Sequence, residues 1–131
     1  MPTSTGAAIS VTEVVTDLKG KFDGIAMRVP SAIGSIADIT MVMNKNVTVE
    51  DINSALEKAS KDDRWKGVMA YSTEELVSMD IKGERYGAIV DSKMTRVVDG
   101  DMVKVMSWYD NEMGYTNTLV EHVIRLGKHI K

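Results

Sequence analysis

The sequence predicts an α+β fold, a mixed, largely antiparallel sheet with about three helices lying mainly on one face. Three observations carry this expectation. The segments run in the order helix, two strands, helix, several strands, helix. Neighbouring strand segments are joined by turns too short for crossover connections, which favours antiparallel pairing. Three helices cannot cover both faces of a sheet of roughly five or six strands, so the second face is expected to be polar or covered by something else.

Ser4 or Thr5 can cap a first helix running from about Gly6 to Leu18, with Ile9, Val11, Val14, Val15 and Leu18 supplying an apolar face and Gly20 a stop signal. Phe22 to Val29 reads as a strand closed by Pro30, and Ser31 to Gly34 as a turn. Ser35 to Met43 is a second strand, with Ile39, Met41 and Met43 on one face. Thr48-Val49-Glu50-Asp51 is close to a capping box and opens a helix that ends near Ser60, with Ile52, Ala55, Leu56 and Ala59 as its stripe. The charged run Lys61-Asp62-Asp63-Arg64 is a solvated connector. Trp65 to Tyr71 is expected as a short strand, Ser72 to Val77 as a helical turn, and Tyr86 to Asp91 as another strand. Asp99-Gly100, between Arg96–Val98 and Met102–Tyr109, is a strong signal for a two-residue hairpin. A last helix covers about Glu112 to Ile130. Tyr115, Leu119, Val123, Leu126 and Ile130 fall within one arc, with Val120 and Ile124 toward the other side. Such a helix is expected to be covered on more than one face.

The 131 residues contain no Pro/Gly/Ser linker and no repeat, which favours one compact unit. The formal net charge is −3 with dispersed Lys and Arg, so no nucleic-acid partner is expected. No run approaches the roughly 18 apolar residues of a membrane span, and the first residues lack the pattern of a signal peptide. A cytoplasmic setting fits these features. The absence of cysteine excludes thiol nucleophiles, thiolate metal sites and disulfides within this chain. His122 and His129 stand seven apart without a carboxylate companion, so no metal site is expected either. Ten methionines suit adaptable core filling, or an adaptable contact surface.

Two clusters have the chemistry of a binding site. Thr5, Gly6 and Arg28 combine a hydroxyl, a backbone amide at a helix start and a guanidinium, which suits a phosphate or other anion. The same residues also suit a helix cap and a strand-end arginine paired with a carboxylate. Ser107-Trp108-Tyr109-Asp110-Asn111-Glu112-Met113-Gly114-Tyr115 ends an apolar strand and opens a helix, a corner that presents side chains rigidly to ligands. Asn111 there can be an N-cap, a ligand contact or both, and Tyr109 and Tyr115 can pack at the helix start.

That corner resembles phosphorylating glyceraldehyde-3-phosphate dehydrogenase. So do Pro2-Thr3-Ser4-Thr5-Gly6-Ala7-Ala8, Leu18-Lys19-Gly20-Lys21-Phe22, Gly24-Ile25-Ala26-Met27-Arg28-Val29-Pro30, Ser35-Ile36-Ala37-Asp38, Lys66-Gly67-Val68-Met69-Ala70-Tyr71 and Val98-Asp99-Gly100-Asp101-Met102-Val103-Lys104. The ordered motifs extend over nearly the whole chain. The resemblance implies that residues 1–131 are the later part of a C-terminal catalytic domain, with a mixed, largely antiparallel sheet and helices on one side. It implies a phosphate site at Thr5, Gly6 and Arg28. It also implies a contact of Asn111 with the nicotinamide carboxamide of NAD, with Tyr115 beside the cofactor and Tyr109 lining the pocket.

The family's NAD-binding Rossmann domain has no counterpart here, since no Gly-x-Gly-x-x-Gly opening follows a first strand. The nucleophilic cysteine and the base histidine are also absent, and His122 and His129 do not match that base. Ser31-Ala32-Ile33-Gly34 departs from the family's usual Thr-Pro-Asn type of sequence after Arg-Val-Pro. The expectation is therefore a catalytic-domain fragment of a glycolytic oxidoreductase, without dehydrogenase turnover or tight NAD binding alone, and a homo-oligomer. The alternatives are a stand-alone oligomerising or anion-binding module, or half of an enzyme completed by a separate N-terminal NAD-binding chain.

Overall fold

The computed structural model describes residues 1–130. The chain divides into two compact units, Met1–Ala32 and Ile33 onward.

In the first unit, β1 (Pro2–Ser4) pairs antiparallel with β2 (Ile25–Met27). Between them lies α1 (Gly6–Val14), followed by a short 3-10 turn at Thr16–Leu18. Thr5 is the cap. Its backbone is extended, and its hydroxyl accepts the Ala7 N–H at 3.2 Å. The expected helix to Leu18 is thus shorter, because the chain tightens after the β-branched pair Val14-Val15. The expected strand from Phe22 to Val29 contracts to three residues. Its partner β1 supplies no more before the helix begins, and Asp23 turns its carboxylate onto the Gly24 N–H at 2.7 Å. The strand at Pro2–Ser4 was not expected from sequence. Of the expected apolar face of α1, Ile9, Val14 and Val15 are exposed, and Ala8 is the buried residue of the helix.

The second unit holds β3 (Ser35–Val42), α2 (Val49–Lys61), β4 (Met69–Ser72), β5 (Ala88–Val98), β6 (Met102–Tyr109) and α3 (Met113–Gly127). Its sheet has the order β3-β6-β5-β4, antiparallel except for the parallel pair β4–β5. The fold is α+β with a mixed, mostly antiparallel strand arrangement. The six strands form a two-stranded and a four-stranded sheet rather than one.

The capping box of α2 forms as expected. Thr48 Oγ1 accepts the Asp51 N–H at 3.1 Å, and Asp51 Oδ2 accepts the Thr48 N–H at 2.9 Å. Ile52 and Leu56 then pack on Val90, Val103 and Val105, joined by Met43, Val47, Met69, Tyr71 and Val97. Ala55 of the expected stripe is exposed. Met43 and Met69 fill this core, while seven other methionines, Met1, Met27, Met41, Met79, Met94, Met102 and Met113, are exposed. Alternation along the strands puts Asp38, Lys104, Met106 and Trp108 on the opposite face. There Lys104 Nζ meets Asp38 Oδ2 at 2.8 Å, so the second face is partly polar, as the helix count implied.

Several boundaries shift. Trp65 to Val68 forms turns, with both Val68 and Met69 donating to the Trp65 carbonyl, so β4 starts at Met69. No helical turn forms over Ser72–Val77. The turns come later, over residues 78–83, where the Asp80 carboxylate takes the Val77 N–H at 2.8 Å. The separate strands expected at Tyr86–Asp91 and Arg96–Val98 are two parts of β5, with an irregularity between Asp91 and Arg96. The hairpin forms, but Val98 pairs with Met102, which leaves a three-residue loop. Asp99 and Gly100 both take positive φ, 53° and 81°, as an Asp-Gly turn allows.

Candidate functional site

Strand β6 delivers Ser107, Trp108 and Tyr109 to the corner, and the buried Asp110 turns the chain into α3. Asp110 Oδ1 accepts the Glu112 N–H at 2.8 Å and the Met113 N–H at 2.9 Å. Its Oδ2 accepts the Gly83 N–H at 2.9 Å, and its carbonyl takes the Gly114 N–H at 3.0 Å. The N–H groups of Gly83, Met113 and Glu112 hold this carboxyl below the usual carboxylate range, against the opposing effect of burial. Of the two roles open to Asn111, the cap is therefore taken by Asp110. An acidic residue three before the first helical residue is a cap signal readable in the sequence.

Displaced from capping, the Asn111 side chain is exposed and makes no hydrogen bond among the described residues. Tyr109 is half-buried. Tyr115 is 66% exposed, so it does not serve as packing at the helix start. Behind the corner, Trp108 Nε1 donates to Asp91 Oδ2 at 3.1 Å. Neither partner's role was expected from sequence, since the contact depends on strand register.

The second cluster lies in the first unit. Thr5 and Gly6 form the start of α1, and Arg28 directly follows β2. Arg28 N donates to the Met1 carbonyl at 2.9 Å, and the Met1 ammonium donates to the Arg28 carbonyl at 2.7 Å. These two bonds hold Met1 to Arg28. The Arg28 side chain is exposed and has no carboxylate partner among the described residues, contrary to the ion-pair reading. Met1 and Arg28 lie at one end of the ladder and Thr5 beyond the other, about 13 Å along the strand at ~3.3 Å per residue. An anion touching both groups would sit between them, reached by the long guanidinium side chain.

Thr5, Gly6, Arg28, Tyr109, Asn111 and Tyr115 line neither of two open clefts found in the second unit. The larger, about 480 Å³, lies between Lys66, Glu84, Arg85, Tyr86, Asn117 and Glu121. His122 and His129 are both exposed on or just past α3. No group of three or more His, Asp or Glu residues among the described residues is placed to hold a metal ion. Among the described residues no helix is long and apolar enough to cross a membrane.

The family model described as glyceraldehyde 3-phosphate dehydrogenase, C-terminal domain, matches residues 1–111, a span that includes every residue discussed above up to Asn111. The glyceraldehyde-3-phosphate dehydrogenase of Geobacillus stearothermophilus is 49% identical over 121 residues, covering 92% of this chain and 36% of that protein. Glyceraldehyde-3-phosphate dehydrogenase 1 of Bacillus subtilis is 46% identical over 128 residues, 98% of this chain and 38% of its own. That of Streptomyces coelicolor is 42% identical over 130 residues, 99% and 39% respectively. The chain spans less than two-fifths of the length of these curated relatives.

Proposed function

Since the chain belongs to the glyceraldehyde 3-phosphate dehydrogenase C-terminal domain family, we propose that it is part of the catalytic domain of an NAD-dependent, phosphorylating enzyme of glycolysis. The observation that carries this reading is identity of 42–49% sustained over 92–99% of the chain. In this reading Thr5, Gly6 and Arg28 hold phosphate, Asn111 meets the nicotinamide carboxamide, and Tyr115 and Tyr109 border the pocket. The free Asn111 amide supports its part, because a side-chain amide offers a donor and an acceptor that match another carboxamide. The uncommitted Arg28 guanidinium supports the anion site.

The chain alone does not turn over. The reaction needs a thiolate to attack the aldehyde, and binding interactions cannot replace covalent catalysis. NAD supplies the hydride acceptor when bound, and these 131 residues contain no Gly-x-Gly-x-x-Gly opening to hold its pyrophosphate. In this reading the cysteine and the NAD-binding domain come from outside these 131 residues, from the rest of a longer polypeptide or, alternatively, from a separate chain, in the cytoplasm. Incubation with aldehyde, NAD and phosphate tests the first point, and NADH formation by this chain alone would overturn it. Phosphate should raise the thermal midpoint of the wild type and not of Arg28→Ala. An equal response in both would remove Arg28 from the anion site.

A second reading, assembly through a self-complementary surface, is favoured by the exposed apolar residues of α3. Light scattering should show a homo-oligomer, and a monomer at all concentrations would refute it.

A further inference from the structure

We propose that Asp91 is a positioning residue for the corner, acting through the indole of Trp108. Asp91 is 2% exposed and lies on β5 at the last regular pair, opposite Met106, before the register slips. Trp108 lies two residues further along β6, on the same face and diagonally across, within reach of a long side chain. Between Asp91↔Met106 and Arg96↔Lys104, four residues of β5 face the single Val105, so the backbone ladder lapses there. The Asp91–Trp108 bond joins the two strands by side chains across the last regular pairs before this gap. The gap is further secured by Asn53 of α2, which donates to the Ser92 carbonyl at 3.2 Å and accepts the Thr95 hydroxyl at 2.7 Å.

The Asp91 carboxylate is poorly suited to a stabilising role. Its Oδ1 is buried and has no hydrogen-bond partner, so the indole N–H is its one donor among the described residues. An apolar side chain of similar size in place of the acid removes the unpartnered Oδ1 but leaves the indole N–H without its acceptor. What such a replacement cannot supply is an acceptor that fixes the indole ring. Trp108 directly precedes Tyr109, and Asp110 and Asn111 follow, so a fixed ring holds the end of β6 where the corner begins. The functional weight of this role rests on the corner's proposed part in cofactor contact. The positional claim does not, and the test reads position alone.

The experiment is hydrogen exchange by NMR on the full chain, following the indole N–H signals and the Glu112 and Met113 amides that report the Asp110 cap. Trp65, 40% exposed, is the internal control. In Asp91→Leu the Trp108 indole N–H should exchange about tenfold faster, the scale of one lost hydrogen bond. The Glu112 and Met113 amides should also lose protection. Asp91→Asn, which keeps an acceptor, should restore both. Unchanged corner amides in Asp91→Leu would overturn the proposal, as would equal loss in Asp91→Leu and Asp91→Asn. If Asp91→Leu does not fold, Trp108→Phe decides, since it removes the donor, and corner amides as protected as in the wild type would overturn the proposal.

Discussion

Gly114→Ala sets two effects of opposite sign against each other. Gly114 is the second residue of α3, and alanine in a helix is favoured over glycine by about 0.8–1.0 kcal/mol. An added Cβ would lie 2.5 Å from the Tyr86 carbonyl oxygen and 3.4 Å from its carbon. That is about 0.8 Å inside the closest ordinary carbon–oxygen contact. A backbone oxygen cannot rotate away, so the cost belongs in the upper half of the roughly 1–3 kcal/mol of overpacking. The net effect is a loss of about 1–2 kcal/mol. At ~4–8 °C per kcal/mol for a domain of this size, the midpoint should fall by roughly 4–16 °C. Thermal melts followed by far-UV circular dichroism measure it. Gly127→Ala is the control, because nothing lies within 4 Å of its Cβ position and the propensity gain stands alone. It should melt at or slightly above the wild type. A Gly114→Ala protein melting at or above the wild type would refute the reasoning, since it would mean that α3 does not rest on the Tyr86 backbone.

The remaining predictions concern the same unit. Val103, fully buried, should cost about 2–3 kcal/mol on truncation to Ala, measured by urea denaturation, while Val98→Ala on the surface should cost under about 0.5 kcal/mol. Thr48→Ala removes the hydroxyl half of the α2 capping box and should lower stability by about 1 kcal/mol in the same assay. Asp51 and Asp110 both titrate below the ordinary value of 3.8, held down chiefly by the Thr48 N–H and hydroxyl and by the Gly83 N–H respectively. Their folded-state pKa values lie below the unfolded ones, so their contribution is complete above 3.8 and is lost as pH falls through the folded-state values. Urea midpoints should therefore hold steady from neutral pH to about 5 and fall below about 4, and Asp110→Asn should flatten part of that fall.

Local chemistry was legible in the sequence wherever a few adjacent residues decide the outcome. The Thr48–Asp51 capping box and the Asp99-Gly100 turn are set by side chains that act within their own segment, and both formed. The strand at Pro2–Ser4, the parallel pairing of β4 with β5 and the irregularity after Asp91 depend on partners distant in sequence, and no local pattern encodes them. The candidate site divides in the same way. Thr5 as a cap follows from its position before Gly6, whereas the Gly83 N–H on Asp110 and the indole on Asp91 required the register of the sheet. Asn111 shows how such a reading fails. Asn111 is a residue type that caps helices well, but Asp110 beside it stands where its carboxylate reaches the Glu112 and Met113 N–H groups.

The last helix separates pattern from burial. Its apolar residues recur with helical period, and that period correctly located α3. The face that packs, however, carries Gly114, Asn117, Thr118 and Glu121, with Gly114 against Tyr86 and Thr118 against Gly87. Leu119, Val120, Val123, Ile124 and Leu126 remain 47–59% exposed. Burying an exposed aliphatic side chain fully is worth about 1.5–3 kcal/mol, so covering five half-exposed ones would add roughly 4–7 kcal/mol before the costs of association. A domain's whole stability is about 5–15 kcal/mol, so whatever covers this face has a large share in how firmly the chain is folded. Coverage by a second copy makes the melting temperature rise with protein concentration, by mass action. A constant melting temperature over a hundredfold dilution series in a folded monomer would rule out coverage by a second copy.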